Sequence, residues 1–378
     1  MSPWRTRLIV TSSLIAVGTL GFGLPGKVQA QGCVASRMSS PTTNPTDQNG
    51  NEYYLPNGKW QASFGFRNYR SHRHFVGDVE QDGSPGTTDR SKNEVINHIY
   101  IPELNVSYGV TDKLSATLDL PIDFLYRRNP PSAATATRPA VPPVYTDAKG
   151  VGDMTLLGRY WLADPKRSGR QNLSVGLGFK LPTGKDSADG TFKRVVGGSL
   201  QDWVHPVDQS IQPGDGGFGY VAEVQGFKSF GQLTAYLSGS YLFNPKVTNG
   251  VQTGRSNPDE AIMSVADQFA GRVGVGLPVH RLSGLAVSLA ARLEGVPSSD
   301  VFGSSAGFRR PGYSIAVEPG VSYSTKGSSF SFSFPYLVYR NRTQSYADKL
   351  ASVAQGRFVN GDAAFADYMF VVGFSRRF

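Results

Sequence analysis

The sequence predicts a transmembrane antiparallel β-barrel of about twelve strands, with long outer loops and short periplasmic turns. Three observations predict it. Apolar and polar residues alternate with period two in segment after segment, the pattern of strands with one apolar face. The links between these segments are long and short in strict turn, as in outer-membrane barrels. The chain ends on an aromatic alternating strand, Tyr368, Phe370, Val372, Phe374 and terminal Phe378.

Composition fits. Gly supplies 44 of 378 residues and Pro 24, too many for a helical bundle, because each costs helix propensity. Charged residues make up 18% and aromatics 11%, which excludes a disordered chain. The single Cys excludes an internal disulfide.

Residues 1–30 read as a signal peptide. Arg5 and Arg7 form a basic start, Leu8 to Leu24 an apolar stretch, and Val28-Gln29-Ala30 a small-residue cleavage site. Cleavage removes Arg5, Arg7 and Lys27 and no acid, so the formal net charge of +9 falls to about +6. That is modest for the size and predicts no nucleic-acid partner. Residues 31–57 are polar and aperiodic and read as a flexible leader; its Cys33 is expected to be a lone thiol rather than a lipid anchor. Residues 58–378 then form the barrel.

The first strand alternates Trp60, Ala62, Phe64 and Phe66 with Ser63 and Arg67. Leu104, Val106 and Tyr108 follow, set against Glu103. Leu114 to Phe124 alternate with Asp119 and Asp123. Met154, Leu156 and Tyr160 oppose Arg159, and Leu173 to Leu181 oppose Ser174, Gly176, Gly178 and Lys180. In the second half, Phe218 to Val224 oppose Glu223, and Leu233 to Phe243 oppose Ser238 and Ser240. Val273, Val275 and Leu277 oppose Arg272. Leu285 to Leu293 oppose Arg292 and Glu294, and Tyr313 to Val321 oppose Glu318. Phe330 to Tyr336 oppose serines, and the last strand carries Arg377 on its polar face. The links near 71–96, 128–149, 184–212, 244–267 and 341–365 are long and that at 297–310 is medium; those at 111–112, 163–170, 229–231, 278–283 and 326–327 are short.

Hydrocarbon offers no hydrogen bonds, so a closed sheet is the form in which strands cross a membrane. The apolar face must then meet lipid and the polar face the lumen. Tyr108, Trp161, Tyr241, Phe243, Tyr323, Tyr336 and Phe378 stand near strand ends, where aromatic girdles meet the headgroups. Phe378 and the aromatics before it resemble the strand that barrels present to their insertion machinery. The expected lumen-lining residues are Arg67, Glu103, Asp119, Asp123, Arg159, Lys180, Glu223, Arg272, Arg292, Glu294, Glu318 and Arg377. Six cations and six anions balance, which predicts a pore of weak charge selectivity or a wall stiffened by cross-strand ion pairs. Pro121, Pro182 and Pro335 lie late in outward-running strands, where a missing ladder donor bends the wall; a sideways exit for an apolar solute is one consequence, an ordinary strand end the other.

Catalytic motifs are not found. His72 and His74 flank Arg73 without a third ligand nearby, and neither a nucleophile elbow nor a P-loop occurs. Gly214-Asp215-Gly216-Gly217 precedes a strand rather than a helix and reads as a turn. No cofactor, metal or enzymatic activity is expected.

Five segments, KWQASFGFRNYRSHRHFVGD (59–78), VSYGVTDKLSATLDLPI (106–122), GVGDMTLLGRYWL (150–162), GLGFKLPTGKDS (176–187) and PGDGGFGY (213–220), resemble outer-membrane barrels of the MetA-pathway of phenol degradation type. That family is distantly akin to fatty-acid and aromatic-hydrocarbon channels. The resemblance implies a channel in the outer membrane for small apolar or aromatic solutes, with residues 31–57 in the position of a lumenal hatch. Its expected partners are outer-membrane lipid, a small-molecule solute and the insertion machinery. The alternatives are a structural or surface-binding barrel acting through its outer loops, and a barrel hydrolase.

Overall fold

The computed structural model describes residues 54–81, 94–136 and 138–378. The expected signal peptide, most of the expected leader and Cys33 lie outside the described residues. Nineteen strands occur among the described residues. They are β1 (Trp60–Val76), β2 (Val79–Glu80), β3 (Ile96–Gly109), β4 (Leu114–Asn129), β5 (Val144–Val151), β6 (Met154–Trp161), β7 (Gln171–Leu181), β8 (Asp189–Val196), β9 (Ser199–Pro206) and β10 (Gly219–Phe230). There follow β11 (Leu233–Phe243), β12 (Thr248–Gln252), β13 (Ile262–Ser264), β14 (Gln268–Pro278), β15 (Leu285–Val296), β16 (Gly312–Thr325), β17 (Ser328–Ser333), β18 (Tyr336–Arg342) and β19 (Ala363–Arg377). One helix, α1 (Tyr346–Gln355), lies in the last long link.

The sheet is antiparallel and closes on itself: β1 pairs with β3 on one side and with β19 on the other. β5 and β6 are two halves of one wall strand, both paired with β4, and β17 and β18 are two halves of another, both paired with β16 and β19. The wall therefore has twelve strands, as the pattern predicts. Closure pairs the wall strands on both sides, except that β5 is paired with β4 only.

The apolar face looks out. Along β7, Leu173, Val175, Leu177 and Phe179 are exposed, while Asn172, Ser174 and Lys180 between them are buried. β15 and β16 repeat this, with Val287, Leu289, Leu293, Ile315 and Val317 outside and Arg292, Glu294, Ser314 and Glu318 inside. In water such a surface would lose roughly 25 cal/mol for each Å² of apolar area left wet; against acyl chains it loses nothing. No described helix is long and apolar enough to cross a membrane; the strands do the crossing. Trp161 departs from the girdle expected of it. It is the odd-numbered partner of outward Tyr160, so it points inward and is buried.

The long links carry structure that alternation did not reveal. β8 and β9 form a hairpin, β12 and β13 a second pair, and α1 is held by a capping box between Ser345 and Asp348. Parts of these links fold inward over the lumen. Val207, Ile211 and Val265 are fully buried there.

Candidate functional site: the lumen and its roof

The interior holds a cavity of about 220 Å³. Its wall comes from inward positions of β1, β3, β4, β6, β7, β10 and β11, and its roof from the links after β7, β11 and β15. An apolar cavity of about 150 Å³ is enough for benzene, so this one takes a solute with a single ring.

Seven of the twelve expected residues line it: Arg67, Glu103, Asp119, Asp123, Arg159, Lys180 and Glu223. Two of the cations meet carboxylates in the same wall. Arg159 donates to Glu223 at 2.7 Å, and Lys180 reaches Asp215 directly and Asp153 at 3.6 Å. Four others pack on the far wall, away from the cavity. Arg292 donates to Glu294 at 2.9 Å and stands 3.6 Å from Glu318, which lies 3.6 Å from Arg272. Arg272 in turn donates to the Tyr236 hydroxyl at 3.1 Å. Arg377 sits near the end of β19 and donates to Gln61.

The same strands also carry an apolar patch. Leu157, Val221 and Leu242 form a buried cluster from β6, β10 and β11, and Met263 and Val296 join them as lining. A molecule inside thus meets charged and apolar side chains set two residues apart along the same strands.

The end of the barrel with the short links is filled by rings. Tyr54 packs edge-on against Trp161 at 4.9 Å and Phe227 at 6.1 Å, with Tyr236 and Ala290 in the same cluster. Its hydroxyl accepts from Asn172 and donates to the Ser168 carbonyl. Residues 54–57 therefore stand across the mouth before the chain enters β1.

The roof is tied by buried ion pairs. Asp208 lies 3.3 Å from Arg127 and 3.7 Å from Arg310, and accepts from Ser210. Burial alone would raise its pKa, but the two guanidinium groups and the Ser210 bonds outweigh that and hold the carboxyl well below the usual range. Arg309 donates to Asp300 at 2.5 Å and to the Ser264 hydroxyl. Sequence patterning misses these loop residues because they follow no period.

The three prolines stand at breaks in the ladder. Pro121 lies where β4 changes partner from β6 to β5, and its carbonyl accepts from Gly152. Pro182 directly follows β7, and Pro335 separates β17 from β18. At the first break side chains replace the missing rungs: Asp153 accepts from the Gly184 and Asp215 amides, and Thr183 donates to the Gly152 carbonyl. The segment after β7 crosses the one before β10 so closely that a Cβ on Gly214 would meet the Gly184 oxygen at 2.3 Å. This explains the glycines of the 213–217 turn. Beyond the break β5 pairs with β4 alone.

No protein-family model matches the chain, and no curated protein is significantly similar to it in sequence. Solved barrels are similar to it in shape. An outer membrane channel from Pseudomonas putida F1 aligns with a TM-score of 0.49 at 12% identity, over 86% of this chain and 97% of that one. The toluene transporter TodX of Pseudomonas putida gives 0.45 at 10% identity, over 92% and 98%. The CymD monoaromatic hydrocarbon channel gives 0.44 at 10%, over 86% and 89%.

Proposed function

We propose that the chain is an outer-membrane channel through which small solutes, aromatic and hydrophobic ones among them, cross passively. The observation that carries this reading is a closed barrel, apolar outside, that encloses a cavity the size of one ring lined by both charged and apolar side chains. A barrel built only as a scaffold needs no such space. The charged wall suits the polar substituent of a phenol-like molecule, and Leu157, Val221 and Leu242 suit its ring. An N-terminal signal would deliver the chain to the periplasm, and the strand ending at Phe378 would engage the insertion machinery. The stretch where β5 lacks a second strand partner, beside Pro121 and Pro182, offers an apolar solute a sideways path into lipid.

Liposome swelling with the purified protein tests the proposal. Benzyl alcohol and phenol should enter protein-bearing vesicles faster than empty ones, and faster than a disaccharide too large for the cavity. Equal rates with and without protein for every solute, together with no conductance in planar bilayers, would remove the channel reading.

A further inference from the structure

The cavity's charges do not all cancel. Arg159 is engaged by Glu223, Lys180 by Asp215 and Asp153, Arg309 by Asp300 and Arg310 by Asp208. The Arg67 guanidinium lies 5.8 Å from the Tyr69 ring. Asp123 also lines the space. Glu103 and Asp119 are left over. Among the described residues neither accepts a hydrogen bond or has a cation within 4 Å, although both line the cavity and Asp119 is more than nine-tenths buried.

The register shows why no neighbour helps them. Glu103 lies opposite Gly65 on β1 and Pro121 on β4. One has no side chain, and the other has no donor. Asp119 lies opposite Asn105 on β3 and Thr155 on β6, both neutral. Two carboxylates on adjacent strands thus face the same space, and the cation that acts on Asp119, Arg159, is already bonded to Glu223. A carboxylate taken out of water without donors is costly, and the cost is relieved when a cation with N–H groups arrives. Magnesium or calcium would want six or more oxygens, and no metal-holding group of side chains occurs among the described residues. A single ammonium needs only two or three acceptors.

We infer that Glu103 and Asp119 form a subsite for the protonated amine of a small amphipathic solute, whose apolar body rests against Leu157, Val221 and Leu242. The inference deepens the channel reading and rests on it: among solutes of one size, organic monocations are preferred over neutral and anionic ones.

Three probes of matched shape test this: phenethylammonium, 2-phenylethanol and phenylacetate. Calorimetric titration of the detergent-solubilised full chain should give tightest binding for the amine, about tenfold above the alcohol, the value of one charge-assisted hydrogen bond. Asp119→Asn and Glu103→Gln should each bring the amine down toward the alcohol, and Asp119→Glu should keep the preference, which marks a charge effect rather than a folding defect. Equal affinities in the parent chain, or a preference that survives both neutral variants, overturns the inference; so does sodium or potassium competing as well as the amine. Vesicle flux with the same probes separates the two claims. Amine binding without any solute flux sinks the channel and leaves the subsite, whereas flux without amine preference does the reverse.

Discussion

Asp208 holds two guanidinium groups, Arg127 and Arg310, in the roof of the lumen. Removing one partner of a buried pair strands the other charge and costs about 3–5 kcal/mol. Asp208→Asn should therefore loosen the roof, and hydrogen exchange at Val207 and Ile211 should speed up while the wall strands stay protected. The folded pKa of Asp208 is below its unfolded value of about 3.9. Its contribution is then complete above that value and is lost as pH falls through the folded pKa. The roof of the parent chain should stay protected at pH 5 and open only in strong acid. Faster exchange already at pH 5 would contradict this. Parity in the sequence was enough to turn Glu103, Asp119 and Arg159 inward. It could not show that Arg159 is bonded to Glu223 while Asp119 accepts no hydrogen bond among the described residues, because that depends on a strand more than sixty residues away.

Among the strands, period two works because lipid and lumen impose opposite demands on neighbouring side chains. β7 illustrates it, with Leu177 exposed between two inward glycines. Leu177→Arg should lower folding stability in bilayers by about 2–4 kcal/mol if the position lies near the midplane, read from urea titration in vesicles; an effect under 1 kcal/mol would mean that this face does not meet hydrocarbon. The long links were legible only as lengths. The β8–β9 hairpin and the β12–β13 pair are short and lack a lipid face, so no alternation marks them. α1 does carry a local signal, Ser345 three residues before Asp348, the spacing of a capping box. Trp161 was misread because an aromatic at a strand end suggests a girdle, whereas its parity with Tyr160 turns it inward to meet Tyr54. At Phe334-Pro335 pairing changes while the apolar pattern runs on, whereas beyond Gly152-Asp153 the exposed face of β5 carries Asp147 and Lys149, so most of that half-strand reads as a long link.

The strict rhythm of long and short links gives the twelve strands of the wall. What it left open was the content of the lumen, which comes from loops folding back over the cavity and from residues 54–57 crossing its mouth. Removing Phe378 should reduce the fraction of chain assembled in the envelope by several-fold, measured as the heat-modifiable band on cold gels, while a chain that keeps its length but carries Phe378→Tyr should assemble normally. Undiminished assembly of the truncated chain would argue against a role for the terminal aromatic.

The seam between β1 and β19 joins residues separated by about three hundred positions, Gln61 beside Arg377 and Phe64 beside Phe374. Contacts so distant in the chain are slow to form, and until they form both strands present bare edges that invite pairing with other chains. The polypeptide is thus like a clasp whose two hooks are made first and last. It is vulnerable for the whole interval between them, and a companion that shields both hooks in transit would protect it more than one that covers any stretch in between.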